Sequence, residues 1–442
     1  MKKRILLCLL AVLVAFSGIV CLNPKQVSAA DSTGKKIVVS MGDSYSSGEG
    51  IEPFFGQDKS SAEKVEDEDW LAHRSEKVWS GMLVVDGQKM VHNDNWFFVA
   101  ASGAETEQLA GTFEKKYNYD GLTGKKDLAP QLDVFDEVEK KYGKGAVDYV
   151  TISIGGNDVG FSEIMIAAIT SPASLEEKMS TIWNLFQNEQ KDGKNTIPSI
   201  RESIKNSYKA IEEKAGKQAT IIVVGYPRLF SAAGFSIKTG FMSFNVTPET
   251  AAIINAMSDT LNEETAKIVE ECKAEGMNII FVPVTDEFSG HEAYTDDPYL
   301  NEVVLSYMKE DINQDPSSMV QVSSYSLHPN ENGAKAYAKA VQKAIDGLNG
   351  SSGNQSSDKP VISVTSKKGK VTVKWDKVDG ATKYKVVEYV NGKAKTVKST
   401  KKNKVTIKKV EVGSEHTYAV KAYVNKKWTK IKDSDKVTVT VK

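Results

Sequence analysis

The sequence predicts an α/β domain, a mostly parallel sheet flanked by helices, followed by a small C-terminal all-β sandwich. Two changes of pattern carry that reading. Up to about residue 348, short β-branched apolar runs bounded by glycine alternate with longer stretches of helical period, the order of a parallel sheet whose strands are joined by helices. From Val361 onward the apolar residues recur at every second position between turn signals, as in a sheet with one buried face. Between the two, Gly350 to Ser357 has the Gly, Ser, Asn and Gln composition of a flexible linker. The expected organisation is a leader over 1–30, a first domain over 31–349, a linker over 350–359 and a sandwich over 360–442.

The leader opens with Lys2-Lys3-Arg4, continues as an apolar run from Ile5 to Val20 and closes on Val27-Ser28-Ala29-Ala30, the pattern of a secretory signal peptide. The protein is therefore expected to be secreted. A lipoprotein anchor at Cys21 is disfavoured, because such sites take a small residue where this chain has Val20. No other stretch reaches the roughly 18 continuous apolar residues of a membrane span, so the mature chain is expected to lack one. Cys8 and Cys21 leave with the leader, and the remaining Cys272 has no partner for an internal disulfide. Its place in an amphipathic stretch makes it a small core residue.

The first three strands each run into a turn that carries chemistry. Ile37 to Met41 leads to Gly42-Asp43-Ser44-Tyr45, Phe97 to Ala101 leads to Ser102-Gly103, and Tyr149 to Ile154 leads to Gly155-Gly156-Asn157-Asp158. Two further strands span Ala219 to Gly225 and Asn278 to Val284, with a helix between them from about Pro248 to Lys273. A final helix follows His328-Pro329-Asn330-Glu331-Asn332-Gly333 and runs to about Gly347. Open α/β sheets collect their functional groups at the carboxyl ends of the strands, which is where Ser44, Gly103 and Asn157 fall. Gly-Asp-Ser alone is a common turn, but acyl transfer needs a hydroxyl, a base and donors for the developing oxyanion. Ser44 supplies a hydroxyl and an N–H, Gly103 a second N–H, Asn157 an amide and His328 a base.

These four blocks, in this order, resemble those of the SGNH (GDSL-type) hydrolases over residues of about 36 to 348. The resemblance implies a three-layer sandwich, Ser44 as nucleophile, His328 as general base, and an oxyanion hole built from Ser44, Gly103 and Asn157. Many members carry Asp three residues before the histidine, where this chain has Tyr325. That departure is similar to the Ser-His dyad branch, and it implies that the Tyr325 main-chain carbonyl orients His328. Relatives in this branch often have Cys at the positions of Ala72 and Ala101, so the crosslink they carry is absent here.

Two inserts follow strand ends. Val159 to Ile197 is expected to pack apolar helical stripes into the core, whereas the Gly, Ser and Phe mixture of Leu229 to Val246 suits an acyl-side wall or lid. His73 and His291 lie in stretches similar to those of the branch, with no chemistry assigned to either. No His or Cys pair has metal-ligand spacing, so neither a metal nor a cofactor is expected.

The last domain is the electrostatic opposite of the first. Residues 359–442 hold 23 lysines against 7 acidic residues, about +16, while residues 31–358 carry about −21. Val371 to Trp375, Tyr384 to Tyr389 and Tyr418 to Tyr423 read as strands, with a turn at Asn391-Gly392, and the stretch resembles a fibronectin type III domain. Trp375 and Tyr384 are expected in its core, with Tyr418 as the corner tyrosine. The reading is a secreted serine esterase or lipase-like acyl hydrolase acting on an ester substrate. An anionic cell-wall polymer or glycan is the partner expected for the basic tail, and no nucleic acid is expected. An O-acetyl esterase of polysaccharide or wall polymer is the alternative enzyme. A surface-binding protein with an inactive hydrolase fold is the alternative of another class.

Overall fold

A computed structural model of the chain describes residues 34–170, 172–193, 195–239, 242–314, 317, 322–352, 360, 362–375, 378, 380–390, 393–424, 427–431 and 436–442. The expected leader, residues 353–359 of the expected linker, Phe241 and the Asn391-Gly392 turn lie outside them. The chain divides into two compact units between Ala344 and Ile345.

The first unit is built on five parallel strands: β1 (Ile37–Gly42), β2 (Trp96–Phe98), β3 (Val147–Ser153), β4 (Thr220–Val224) and β5 (Ile279–Val282). Every residue of β1 and β4 is buried, and neighbours on a strand point to opposite faces, so both faces of the sheet are covered. The helices are α1 (Ser44–Ser47), α2 (Val134–Tyr142), α3 (Phe161–Thr170), α4 (Leu175–Gln187), α5 (Ile200–Ala215), α6 (Pro248–Ala274) and α7 (Glu331–Ser352). In α6, Thr247 caps the N-terminus, Pro248 occupies the first turn, and Ile254, Met257, Leu261, Ile268, Val269 and Cys272 form a buried stripe. The last helix runs through Ser352, so the first three residues of the expected linker, Gly350 to Ser352, are helical.

Strand order is β5-β4-β3-β1-β2. The chain leaves β1 toward β2 on one side and leaves β3 toward β4 on the other, which opens a crevice between the carboxyl ends of β1 and β3. There the two strands approach most closely. Gly42, at φ +117°, pairs with Ser153, and a Cβ on Gly42 would stand 2.1 Å from the Ser153 carbonyl oxygen. The buried Gln131 amide brackets the same glycine, accepting from its N–H at 2.7 Å and donating to its carbonyl at 2.9 Å.

A feature not read from the sequence is the antiparallel hairpin Phe113–Tyr119 with Leu122–Leu128. Its Asp120-Gly121 turn has φ values of +49° and +79°, the left-handed pair that a two-residue hairpin turn requires. Phe113, Lys115, Tyr117 and Tyr119 share one face by alternation, and the aromatic residues among them pack on a core cluster that contains Trp70, Ala72 and Ala101.

The second unit is an antiparallel sandwich of two sheets. One sheet joins β6 (Ile362–Ser366), β7 (Lys370–Trp375) and β10 (Lys404–Lys408); the other joins β8 (Ala381–Val390), β9 (Lys393–Thr400), β11 (Glu415–Val424), β12 (Lys427–Trp428) and β13 (Val437–Thr440). Trp375 and Tyr384 are buried between them, as expected, and Tyr418 lies in the same cluster. On the opposite face of β8 and β11, Lys383 and Lys385 stand over aromatic rings. Their Nζ atoms lie 4.5 Å from the Tyr423 centroid and 4.6 Å from the Trp428 centroid.

Gly42→Ala should lower the unfolding free energy by more than about 3 kcal/mol, since the atom that a methyl group meets is main chain and cannot move aside. Denaturant unfolding checks this, and the loss should far exceed that of Gly121→Ala, where a Cβ meets no atom within 4 Å.

Candidate active site

The turn after β1 places Ser44 at the first position of α1. Asp43 caps that helix, accepting the Tyr45 N–H at 3.1 Å, and Gly48 closes it at φ +81° with its N–H donating to the Ser44 carbonyl. The Asp43 carboxylate is fully enclosed and also accepts from Ser153 Oγ at 2.6 Å and from the Tyr226 hydroxyl. Burial raises it to about 6 against these hydrogen bonds. Asp43 thus ties the ends of β1, β3 and β4 together beneath the serine.

His328 Nε2 lies 2.8 Å from Ser44 Oγ. The histidine sits on the loop before α7, where Asn330 Oδ1 accepts the N–H groups of Asn332 and Gly333. Asn301 clamps this loop: its main chain pairs with Leu327 and His328, and its amide donates to the Tyr325 carbonyl at 3.2 Å. Tyr45 adds a hydrogen bond to the Leu327 carbonyl at 3.0 Å. The Tyr325 carbonyl therefore faces Asn301 and the His328 N–H, which donates at 3.3 Å, and does not meet the imidazole. Nδ1 has no partner at full hydrogen-bond geometry among the described residues. The main chain of Ser324 and Ser326 nevertheless lies close enough to favour the protonated ring. Burial is the larger effect and holds the His328 pKa below its usual value.

Ser44, Gly103 and Asn157 line one cavity with His328. The Ser44 and Gly103 N–H groups have no acceptor among the described residues. Asn157 uses one amide hydrogen on the Ala104 carbonyl at 2.9 Å and keeps the other. A Cβ on Gly103 would touch only Phe113 Cζ, at 3.6 Å, so crowding does not exclude a side chain there. Its φ of +83° is the reason for glycine. The cavity measures about 730 Å³. Phe161, Met165 and Ile166 from the first insert, Phe244 from the second, and Val303 and Leu305 from the loop before His328 form its apolar walls. The second insert contributes Phe244 to the wall. The first also supplies wall residues, while Ile164, Leu175 and Phe186 fill the core. Such a site can take up a serine proton, shelter an oxyanion and seat an apolar chain.

Four buried charged groups, Glu49, Glu310, Lys64 and Lys115, are not signalled by the sequence. Glu49 is wholly buried, accepts from His73 Nδ1 at 2.8 Å and from Ser324 Oγ at 2.9 Å, and acts through space on His328. Burial opposes its charge, but His73, His328 and Ser102 together outweigh burial and hold Glu49 down at about 2. His73 Nε2 faces the Glu310 carbonyl at 3.0 Å, so both ring nitrogens meet acceptors. Glu310 itself pairs with buried Lys64 at 2.8 Å. Lys115, on the inner face of the hairpin, reaches the Ser102 carbonyl. Of the other expectations, Cys272 is a free, buried cysteine, and His291 stacks on Tyr299 with its Nδ1 at 2.7 Å from the Asp297 carbonyl, away from the cavity. Ala72 and Ala101 share one buried cluster.

Residues 40–336 match the model of the GDSL-like Lipase/Acylhydrolase family. A lipase from Streptomyces rimosus is 26% identical over 295 residues, 66% of this chain and 84% of that protein. The crystal structure of the extracellular lipase from Streptomyces rimosus aligns with 71% of this chain and 99% of that one, at 22% identity and a TM-score of 0.45. The crystal structure of FN3tt aligns with 18% of this chain and 86% of its own, at 20% identity and a TM-score of 0.16.

Glu49→Gln should cost on the order of 3 kcal/mol at neutral pH, because it removes the buried carboxylate that both His73 Nδ1 and Ser324 Oγ contact. The sign with pH follows from the depressed carboxylate. Glu49 contributes stability above its unfolded value of 4.5 and loses it as pH falls toward about 2. Denaturant midpoints measured from pH 7 down to pH 2.5 should therefore show the two proteins converging in acid.

Proposed function

Because the chain belongs to the GDSL-like lipase/acylhydrolase family, and is thus a carboxylic ester hydrolase, we propose that it works through an acyl-enzyme on Ser44 with His328 as general base. The observation that carries this is the 2.8 Å contact of Ser44 Oγ with His328 Nε2 at the edge of an apolar cavity of about 730 Å³. Nε2 takes the hydroxyl proton as Oγ adds to the ester carbonyl. The negative oxygen is received by the N–H groups of Ser44 and Gly103 and the spare amide hydrogen of Asn157. His328 returns the proton to the leaving alcohol, and water repeats the sequence to release the acid.

For His328 to accept at Nε2, its other proton sits on Nδ1. Glu49 favours the imidazolium that results, and the main chain of Ser324 and Ser326, on either side of Tyr325, lies close enough to favour a protonated ring as well. The Tyr325 carbonyl, engaged by Asn301, contributes to loop shape instead. The apolar walls support an acyl chain as the group seated beside Ser44, in preference to the acetyl group of a decorated polysaccharide. Secretion is proposed from the leader-like Met1 to Ala30, and residues 31–349 are proposed as the catalytic part.

For the tail, we propose attachment of the enzyme to an anionic glycan or wall polymer. Its net charge supports this, and so does the Lys383, Lys385, Tyr423 and Trp428 face, which offers cations for acidic groups and rings for sugar faces.

Ser44→Ala and His328→Ala should each abolish nearly all hydrolysis while leaving the melting temperature near that of wild type, with the double variant little worse than either. The assay is a panel of p-nitrophenyl esters from acetate to palmitate, run beside acetylated xylan and a phospholipid vesicle. A folded Ser44→Ala protein with normal turnover ends the proposal, and preference for acetylated xylan moves it to the O-acetyl esterase reading. In the full chain, Lys383→Glu with Lys385→Glu should weaken co-sedimentation with an insoluble acidic polysaccharide and leave p-nitrophenyl ester turnover unchanged. Wild-type binding should itself fall steeply as salt shortens the screening length to about 8 Å. Equal retention of both proteins at low salt would remove this face from the reading.

A further inference from the structure

We propose that Lys115 is a positioning residue of the oxyanion hole, acting through the peptide unit that joins Ser102 to Gly103. This rests on the assignment of Ser44 as nucleophile and goes beyond it. Lys115 Nζ donates to the Ser102 carbonyl oxygen at 2.7 Å. That carbonyl and the Gly103 N–H belong to one trans peptide, so they point in opposite directions. A donor fixed on the oxygen end turns the N–H end away from itself, toward the cavity that both residues line. A cation there also draws electron density toward the carbonyl, which makes the N–H a stronger donor to an anion.

The burial of this amine is otherwise hard to account for. Lys115 is 8% exposed and sits on the inner face of the hairpin between aromatic residues. No salt bridge joins it to a carboxylate among the described residues. Its partners are one carbonyl and the Phe113 ring, whose centroid lies 4.7 Å from Nζ. A lysine in such a place costs stability that an apolar residue would not. Burial accordingly lowers its pKa to about 8, with Glu49 the charged group that resists the fall. Glu49 is in turn held by His73, and His328 lies within its field, while on the hairpin Tyr117 and Tyr119 share the amine's face by alternation and Lys126 pairs with Lys115 across the strands.

Two consequences follow. The wild-type kcat should decline as pH rises through about 8, because the ammonium loses its charge while His328, held low by burial, is already neutral. Lys115→Met should lower kcat by about tenfold with KM unchanged, less than the loss of a donor that touches the oxyanion itself.

The test compares wild type, Lys115→Met and Lys115→Arg for kcat and KM on a p-nitrophenyl ester from pH 6 to 9.5, for melting temperature, and for inhibition by an alkyl trifluoromethyl ketone, which forms a tetrahedral oxyanion on serine. Lys115→Met should weaken the ketone by the same factor as kcat, while Lys115→Arg, whose guanidinium stays charged, should keep activity and lose the decline above pH 8. A folded Lys115→Met enzyme with kcat and ketone affinity within twofold of wild type overturns the proposal. If Lys115→Met does not fold, a decline identical in wild type and Lys115→Arg overturns it. If neither variant folds, a wild-type kcat that is flat from pH 7 to 9.5 does so. In each of these cases Ser44→Ala stays inactive, whereas an active Ser44→Ala would strike the underlying mechanism instead.

Discussion

The site depends on the closeness of β1 and β3 at one point. Gly42 lies against the Ser153 carbonyl with no room for a side chain, and only that approach lets the Asp43 carboxylate reach Ser153 and Tyr226 while capping α1. The cap fixes Ser44, and the same chain reversal between β1 and β3 brings Asn157 beside it. Asp43 is therefore structural in the most local sense. It spends its hydrogen bonds beneath the serine, and burial holds it near the point where it takes up a proton.

Around this knot the protein keeps an uncommon number of ionisable groups out of water. Glu49 with His73, Glu310 with Lys64, and Lys115 on a peptide carbonyl form a layer behind the cavity, linked by the His73 contact to the Glu310 main chain. Replacing such pairs with packed apolar residues is often neutral or stabilising, so their presence argues for a field set up for the reaction and not for a gain in stability. The layer has negative charge toward the histidine side and positive charge toward the oxyanion side. Those are the signs that the proposed mechanism calls for, an imidazolium on one flank and an oxyanion on the other.

How much of this the sequence discloses depends on the range of the interactions. The turns that carry Gly42, Asp43, Ser44, Gly103 and Asn157 were legible because each follows a strand that its β-branched apolar run reveals, and the backbone demands glycine at Gly42 and Gly103, where φ is positive. The helix Pro248–Ala274 and the sandwich core at Trp375 and Tyr384 were legible for the same reason, a local period. Tyr325 was misassigned because the direction of its carbonyl is decided by Asn301, 24 positions away, which no local pattern connects to it. Glu49 stood in plain view between two glycines, but only the fold shows that it is buried. Lys115 gave no signal at all: Phe113-Glu114-Lys115-Lys116 reads as a solvated charged run until alternation in the hairpin turns one of the two lysines inward.

The groups proposed to react and the cavity walls come from different parts of the chain. Ser44, Gly103 and Asn157 stand on the ends of central strands, whereas Phe161, Met165, Ile166 and Phe244 belong to insertions that the sheet does not need. A protein built in this way is modular for evolution. Insertions can lengthen, shrink or be exchanged among descendants and change which esters fit, while the machinery that breaks the bond is inherited intact.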